Sequence, residues 1–266
     1  MVLLIPVGLY AGICLLMVLF QHRLAYFPER EIEATPADAG LDYRDVFFPA
    51  TDGVRLHGWF LPGDRPGRVV LFCHGNAGNI SQRITSVRLY RSTGFAVFIF
   101  DYRGYGRSEG RPGERGTYAD AGGAWTYLTE VEGFAPDQIV LLGRSLGGAV
   151  AVELASRVRP RALIAEATFS SGADLAARAY PWLPVRWLLR YRYDSRSRVG
   201  GIACPKLFIH SRDDNVVPFD LGRRLYEAAA PPKQFLEIRG GHSDGFLVTG
   251  DRYRDAVGAF LDGTGE

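Results

Sequence analysis

Cysteine is scarce in this sequence, and its scarcity argues against two kinds of stabilising framework. Three cysteines occur among 266 residues, at positions 14, 73 and 204, and no two of them form a C-x-x-C pair. Structural zinc sites and disulfide frameworks need clustered or evenly paired cysteines. The sequence therefore predicts neither a metal site nor a disulfide-stapled domain.

Lysine is also nearly absent, and the positive charge that remains is not concentrated. Lys206 and Lys233 are the two lysines, whereas arginines are scattered among acidic residues along the chain. With 31 basic and 29 acidic residues, the formal net charge is +2. A dedicated nucleic-acid-binding protein carries a basic stripe or patch, so no nucleic-acid partner is expected.

Charged side chains are missing altogether from residues 2–20. A helix of this length roughly spans the ~30 Å hydrocarbon core of a bilayer at ~1.5 Å per residue. A cleaved signal peptide and a buried soluble helix are the alternatives, but the segment lacks a basic leading region and an A-x-A-like cleavage site. We therefore predict a transmembrane anchor at residues 1–22 and a linker at 23–41. Arg23, Arg30 and Arg44 favour a cytoplasmic location for the rest of the chain.

Beyond the linker, short apolar runs alternate with segments that are long enough for helices. Nearly continuous runs are typical of strands covered on both faces, and hence of a parallel sheet. The first two runs flank a turn-like Ala-Thr-Asp-Gly and are predicted to pair antiparallel. The predicted strands are residues 43–48, 55–61, 69–73, 95–100, 139–142, 162–165, 206–209 and 234–238. This pattern predicts an α/β domain at 42–264 with an eight-stranded, mostly parallel sheet flanked by helices.

The segment Gly-Arg-Ser-Leu-Gly at 143–147 lies between one of these runs and an Ala- and Val-rich helical stretch. A G-x-S-x-G sequence at a strand-to-helix turn holds its serine in strained geometry, with the hydroxyl exposed above the sheet. Glycines on both sides remove the side chains that would collide there. Ser145 is therefore the candidate nucleophile.

Elimination among the five histidines gives a candidate base. His22 belongs to the membrane flank, His57 falls inside a predicted strand, and His210 ends another strand. His242 lies just beyond the last strand, where a loop carries side chains over the carboxyl ends of the sheet. We predict that His242 activates Ser145.

A carboxylate between these two residues would complete the chain order serine, acid, histidine. Such a carboxylate holds the imidazole in one tautomer and stabilises the imidazolium that forms during the reaction. Asp213 and Asp214 both follow a strand directly, and we choose Asp214, although chain order alone leaves both open. Glu166, at the end of the preceding strand, is a more distant third candidate.

Acyl chemistry also needs donors for the oxyanion that develops on the substrate carbonyl. One donor is expected to be the backbone N–H of Leu146, the residue after the nucleophile. The other is assigned to the backbone N–H of Asn76, in the glycine-rich loop at 74–79. This loop matches neither G-x-G-x-x-G nor a P-loop, so it is not expected to bind phosphate. His74 is interpreted as a structural residue, because a catalytic role would duplicate that of His242.

From about residue 43 onward, the chain resembles the α/β-hydrolase superfamily, and more narrowly the membrane-anchored bud-emergence-type branch of alpha/beta-hydrolase-domain proteins. The motifs that carry this resemblance are residues 74–79, 101–108, 143–148, Asp214 four residues before Pro218, and Gly-Gly-His at 240–242. The resemblance implies a serine-hydrolase fold without a cofactor, and its pattern favours Asp214 over Asp213. Ser211 stands where such proteins often carry glycine, and we expect only a local change of the loop there.

Residues 169–200 are expected to form a short cap over Ser145, with aromatic and apolar residues and interspersed arginines. Acyl-chain binding, contact with the bilayer surface and ordinary packing on the sheet all remain open for this segment.

The expected function is hydrolysis of an ester or thioester at a membrane surface, with a small-molecule or lipid-like acyl substrate. A peptidase or amidase is the alternative, because the same three side chains cleave amides. A catalytically silent, membrane-tethered binding module predicts a lost member of the triad, and none is lost here.

Overall fold

The structure is a computed structural model that describes residues 4–264. Residues 1–3 of the predicted membrane anchor lie outside the described residues. The eight strands of the main sheet are β1 Arg44–Pro49, β2 Arg55–Leu61, β3 Val69–Cys73, β4 Ala96–Phe100, β5 Ile139–Arg144, β6 Ala162–Glu166, β7 Lys206–Ser211 and β8 Lys233–Ile238. The helices are α1 Leu4–Ala25, α2 Ile84–Arg91, α3 Glu114–Thr126, α4 Leu146–Ala155, α5 Gly172–Ala179, α6 Val185–Leu188, α7 Arg196–Val199, α8 Phe219–Ala228, α9 Gly245–Thr249 and α10 Asp251–Gly263.

The eight strands form one sheet in the order β8-β7-β6-β5-β3-β4-β2-β1. The pairs β1 with β2 and β2 with β4 are antiparallel, whereas the other pairs are parallel. The predicted fold class and strand count are therefore confirmed. Strands β3, β4, β5 and β6 are fully buried, which explains why their sequences are apolar without alternation.

Helices cover both faces of the sheet. Side chains of α3, α4 and α8 pack against one face, among them Ala121, Val150 and Leu221. Side chains of α2 and α10 pack against the other, among them Val87 and Val257. The result is a three-layer arrangement in which the carboxyl ends of the parallel strands meet at a single edge.

Helix α1 precedes this domain. Its residues 8–25 have a mean hydropathy of 1.4, and α1 is the one helix among the described residues long and apolar enough to cross a membrane. The chain that follows α1 is attached to the domain: Phe27 and Pro28 pair in parallel with Ala77 and Gly78. The segment at 23–41 thus contacts the glycine-rich loop after β3.

Candidate active site

Ser145 lies at the turn between β5 and α4, with its backbone at φ 55° and ψ −120°. A residue other than glycine at positive φ costs on the order of 1–3 kcal/mol, so the surrounding structure must hold it there. The N–H of Ser145 donates to the carbonyl of Glu166 at 2.9 Å. The hydroxyl of Thr168 donates to the carbonyl of Ser145 at 2.8 Å. Glu166 is the last residue of β6 and Thr168 lies two residues beyond it, so this end of the strand stabilises the strained turn.

The two glycines of the motif are required by close packing. A Cβ atom at Gly147 would lie 2.0 Å from the carbonyl oxygen of Cys73, and one at Gly143 would lie 2.2 Å from the carbonyl oxygen of Gly147. Contacts this short are excluded between non-bonded atoms. The first turn of α4 consequently rests directly on the end of β3, which brings the loop after β3 close to Ser145.

His242 follows β8 and reaches back to the serine. Its Nε2 lies 2.9 Å from Oγ of Ser145, and its Nδ1 lies 2.8 Å from Oδ2 of Asp214. With Nδ1–H donating to the carboxylate, Nε2 is free to accept the hydroxyl proton of Ser145. The side chain of His242 is 15% exposed, so solvent or a substrate reaches it.

Asp214 is buried, and its second carboxylate oxygen is occupied by the loop. Its Oδ1 accepts hydrogen bonds from the N–H groups of Val216 at 2.9 Å and Val217 at 2.8 Å. Burial acts to raise the pKa of Asp214, but the hydrogen bond and charge of His242, together with these N–H donors, lower it below its ordinary value. Asp214 is therefore ionised at neutral pH and fixes the ring of His242.

The two alternative carboxylates lie elsewhere. Asp213 is half exposed and faces Arg239 at 3.6 Å. Glu166 is buried, but it accepts hydrogen bonds from Arg144 at 3.0 Å and from the hydroxyl of Tyr253 at 2.9 Å. The geometry thus separates the candidates that chain order left open, since Asp214 is the carboxylate in contact with His242.

The loop after β3 places the candidate oxyanion donors. A Cβ atom built on Gly75 would lie 3.5 Å from Cβ of Ser145, so this loop borders the nucleophile. Asn76 is the next residue, and its side-chain oxygen accepts a hydrogen bond from the hydroxyl of Tyr105 at 2.8 Å. Within residues 4–264, the backbone N–H groups of Asn76 and Leu146 donate to no other residue. Both donors are therefore available to a bound molecule.

His74 is fully buried next to this loop. Its Nδ1–H donates to the carbonyl of Gly75 at 2.7 Å, and its own carbonyl accepts the hydroxyl of Tyr102 at 3.0 Å. Burial, with the nearby charge of Arg83, lowers the pKa of His74 to about 3, against a smaller opposing effect of the Gly75 carbonyl. A neutral imidazole here orients the peptide that precedes Asn76.

The contacts of two residues at the site, Ser211 and Arg144, were not predicted from the sequence. Ser211, at the end of β7, donates to the carbonyl of Gly240 and accepts the N–H of Asp213, so it joins the loop that carries Asp214 to the loop that carries His242. The unusual serine at a position where similar proteins often carry glycine was the available signal. Arg144 pairs with Glu166 across two strand ends beside the nucleophile, and no sequence pattern indicates this contact.

Comparisons with known proteins agree with this geometry. A family profile described as alpha/beta hydrolase fold matches residues 68–203. An uncharacterized protein of Mycobacterium tuberculosis is 39% identical over 257 residues, covering 96% of this chain and 92% of that protein. An uncharacterized membrane protein of Saccharomyces cerevisiae is 33% identical, covering 91% of this chain and 89% of that protein. The yeast protein fits the membrane-anchored branch that the motifs resemble.

Solved structures show the same architecture. A Pyrococcus furiosus esterase superposes with a TM-score of 0.74 at 22% identity, covering 89% of this chain and 98% of that chain. At this identity the likeness concerns the fold alone. The matching profile, the relatives and the eight-stranded sheet together show that this chain belongs to the alpha/beta hydrolase fold family.

Proposed function

We propose that this protein is a serine hydrolase that cleaves an ester or thioester at a membrane surface through an acyl-enzyme. The observation that carries the proposal is the continuous hydrogen-bonded series from Asp214 through His242 to Ser145, with distances of 2.8 Å and 2.9 Å. A nucleophile, a base and a group that orients the base are the minimum set for acyl transfer.

In the first half of the reaction, Oγ of Ser145 attacks the acyl carbon while its proton passes to Nε2 of His242. The carbonyl electrons move onto oxygen, and the N–H groups of Asn76 and Leu146 donate to the resulting oxyanion. Each such donor contributes about 3 kcal/mol of transition-state stabilisation. Asp214 stabilises the imidazolium without accepting its proton.

The bond between the acyl carbon and the leaving oxygen or sulfur then breaks, His242 gives the proton taken from Ser145 to the leaving alcohol or thiol, and the acyl group remains on Ser145. In the second half, water attacks the acyl carbon and gives a proton to His242. The bond from Oγ of Ser145 to the acyl carbon then breaks, His242 returns the proton to Oγ, and the carboxylic acid is released. No step of this mechanism uses a metal ion or an organic cofactor.

Helix α1 supports the location at a membrane. Leu9, Leu15 and Leu19 are more than half exposed on it, which is unfavourable in water and favourable in lipid. We assign the catalytic domain to the cytoplasmic side because Arg23, Arg30 and Arg44 follow the helix. Lipid-like or lipidated acyl compounds are the substrates that this location favours.

Labelling with a fluorophosphonate probe tests the chemistry. The wild-type protein is expected to be labelled, and folded Ser145→Ala is not, because the probe reacts with an activated serine. Equal labelling of both proteins would overturn the assignment of the nucleophile. Absence of labelling in folded wild-type protein would favour the silent binding module instead.

A substrate panel tests the bond that is cleaved. p-Nitrophenyl esters of increasing acyl length and acyl thioesters are compared with aminoacyl amides at matched concentration. We expect turnover of esters or thioesters to exceed that of amides. Faster turnover of amides than of every ester and thioester would replace this proposal with a peptidase or amidase.

A further inference from the structure

Helix α1 is joined to the cap along much of its length. The hydroxyl of Tyr10 donates to the carbonyl of Trp182 at 3.0 Å, and the side chain of Gln21 donates to the carbonyl of Leu188 at 2.7 Å. Tyr10 and Gln21 are separated by about 16 Å of helix at ~1.5 Å per residue. The cap segment at 180–190 therefore runs alongside α1 instead of standing apart from it.

This cap segment exposes two large aromatic side chains. Trp187 is 89% exposed and Trp182 is 57% exposed. On α1, Leu15, Leu16 and Leu19 are also more than half exposed. We call this combined surface the α1–cap face. Tryptophan is enriched at membrane–water interfaces, where its ring is in the apolar region and its N–H reaches polar groups.

A cavity of about 680 Å³ lies next to this face, between the start of α3 and the chain at 190–198. Its lining carries more positive than negative charge: Arg115, Arg190, Arg192 and Arg198 line it with Glu114 and Asp194. The Glu114 carboxylate already accepts the backbone N–H groups of Arg192 and Tyr193.

Three of the four guanidinium groups in this cavity are available for a ligand. Among the described residues, the side chains of Arg115, Arg190 and Arg192 form no hydrogen bond or ion pair with another side chain or carbonyl. Arg198 instead donates to the carbonyl of Asp194 at 2.7 Å. Gly113, which precedes α3, and the first helical residues 114–116 also line the cavity, and Gly113 provides no side-chain cap for the N–H groups there. Arginine side chains and a helix N-terminus both favour phosphate.

The position of the cavity relates it to the membrane. The side chain of Gln21 accepts the N–H of Arg190 at 2.8 Å, and Nε2–H of His22 donates to the carbonyl of Pro112 at 3.0 Å. The last turns of α1 therefore hold both walls of the cavity. Lipid headgroups lie where a transmembrane helix leaves the bilayer, and anionic headgroups attract arginine at that depth.

We propose that the α1–cap face is embedded in the membrane interface and that the arginine-lined cavity holds the headgroup phosphate of an anionic phospholipid. The partner is a bilayer that contains such lipids. This inference rests on the proposed membrane association of α1, but it does not depend on the chemistry of Ser145.

Tryptophan fluorescence tests the insertion of the cap. The full-length protein is placed in phosphatidylcholine nanodiscs with or without brominated acyl chains, which quench nearby tryptophans. Two of the four tryptophans lie in the cap, so we expect roughly half of the emission to be quenched. In the double variant Trp182→Phe, Trp187→Phe, the remaining emission comes from Trp59 and Trp125 and should be insensitive to bromine. Equal fractional quenching of the wild type and the double variant would overturn the insertion.

Lipid binding tests the cavity. Binding of fluorescent phosphatidylglycerol and phosphatidylcholine is measured for the full-length protein in detergent micelles. We expect the wild type to prefer phosphatidylglycerol. The triple variant Arg115→Gln, Arg190→Gln, Arg192→Gln should bind phosphatidylglycerol about 10- to 100-fold more weakly. The matched control is Arg88→Gln, Arg159→Gln, Arg252→Gln, which changes three exposed arginines elsewhere on the domain and should bind as the wild type does.

Equal binding of phosphatidylglycerol by the cavity triple variant and the wild type would overturn the headgroup site. The same conclusion would follow if the control variant lost as much binding as the cavity variant. Fluorophosphonate labelling of the same samples keeps the two proposals separate. Intact labelling of Ser145 with no cap quenching refutes only the membrane face. Lost labelling with retained quenching refutes only the hydrolase.

Discussion

Nε2 of His242 lies 2.9 Å from Oγ of Ser145, although the two residues are 97 positions apart in the chain. One follows the last strand of the sheet and the other follows a central strand, so the parallel topology brings them to the same edge. The contact is direct, and proton transfer between the two side chains needs no intervening water.

This contact predicts strongly non-additive kinetics. Ser145→Ala and His242→Ala should each lower kcat by about 10⁴- to 10⁶-fold, because each removes the same catalytic unit. The double variant should be no slower than the slower single variant. Steady-state hydrolysis of the best p-nitrophenyl ester measures this, and losses that multiply in the double variant would show that the two residues act separately.

Asp214 and the adjacent Asp213 form a matched pair for testing the acid. Asp214→Asn should lower kcat by about 10⁴-fold, because an amide in contact with Nδ1 no longer fixes the required tautomer of His242. Asp213→Asn should leave kcat essentially unchanged, since Asp213 is half exposed and faces Arg239. The reverse ranking in the same ester assay would move the role of the acid to Asp213.

Glu166 is predicted to stabilise the fold without acting on the substrate. Glu166→Gln leaves Arg144 buried without its charge partner, which typically costs about 3 to 5 kcal/mol of unfolding free energy. Glu237→Gln, which breaks the exposed pair with Arg212, should leave the free energy of unfolding nearly unchanged, because solvent screens that pair. Urea denaturation measures both changes. Folded Glu166→Gln should still react with the fluorophosphonate, and failure of that labelling would restore Glu166 as a candidate acid.

Because the proposed oxyanion donor is the backbone N–H of Asn76, two substitutions at this position should differ in their effect on kcat. Asn76→Ala retains the N–H and should keep most of kcat, whereas Asn76→Pro removes the N–H and should lower kcat by about 10²- to 10³-fold. Tyr105→Phe is the control for the hydrogen bond to the side chain of Asn76. Comparable activity of folded Asn76→Pro and Asn76→Ala would place the donor elsewhere in the loop.

The buried imidazole of His74 predicts a loss of stability in acid. Its pKa is about 3 in the folded protein, and burial is the main cause, whereas a histidine in an unfolded chain titrates near ~6.5. Between these values the unfolded chain binds more protons, so the free energy of unfolding falls as the pH falls. Stability is fully present above the unfolded pKa.

His74→Asn removes this titration and retains a donor near the Gly75 carbonyl. From about pH 7 to about pH 4, the wild type should lose on the order of 3 kcal/mol more than the variant. A smaller slope should remain in the variant, because burial also lowers the pKa of His210. Urea titrations across this pH range measure the slopes, and parallel slopes would contradict the buried neutral state of His74.

The strand pattern could be predicted because both faces of the central sheet are covered. The predicted strands are too short where a strand ends in glycine or a polar residue. The strand predicted to end at residue 142 continues through Gly143 and Arg144. The positions of Ser145 and His242 relative to the strands could also be predicted, because parallel strands place their following loops on one edge.

Contacts between distant polar groups could not be predicted in this way. Arg144 and Glu166 occupy paired positions at the ends of neighbouring strands, and that register becomes known only from the fold. The contacts of Gln21 could not be predicted either, because the sequence does not show which group an amide in the last turns of an apolar helix will bind. Its hydrogen bonds to the carbonyl of Leu188 and the N–H of Arg190 depend on where α1 lies against that part of the chain.

The pairing of Phe27 and Pro28 with Ala77 and Gly78 has a practical consequence for recombinant production. A soluble form trimmed at residue 42 would lack the strand behind the loop of Asn76, and the side chain of Asn79 would lose its carbonyl partners on Glu29 and Glu31. Trimming near residue 24 instead would remove most of the apolar helix and keep this support.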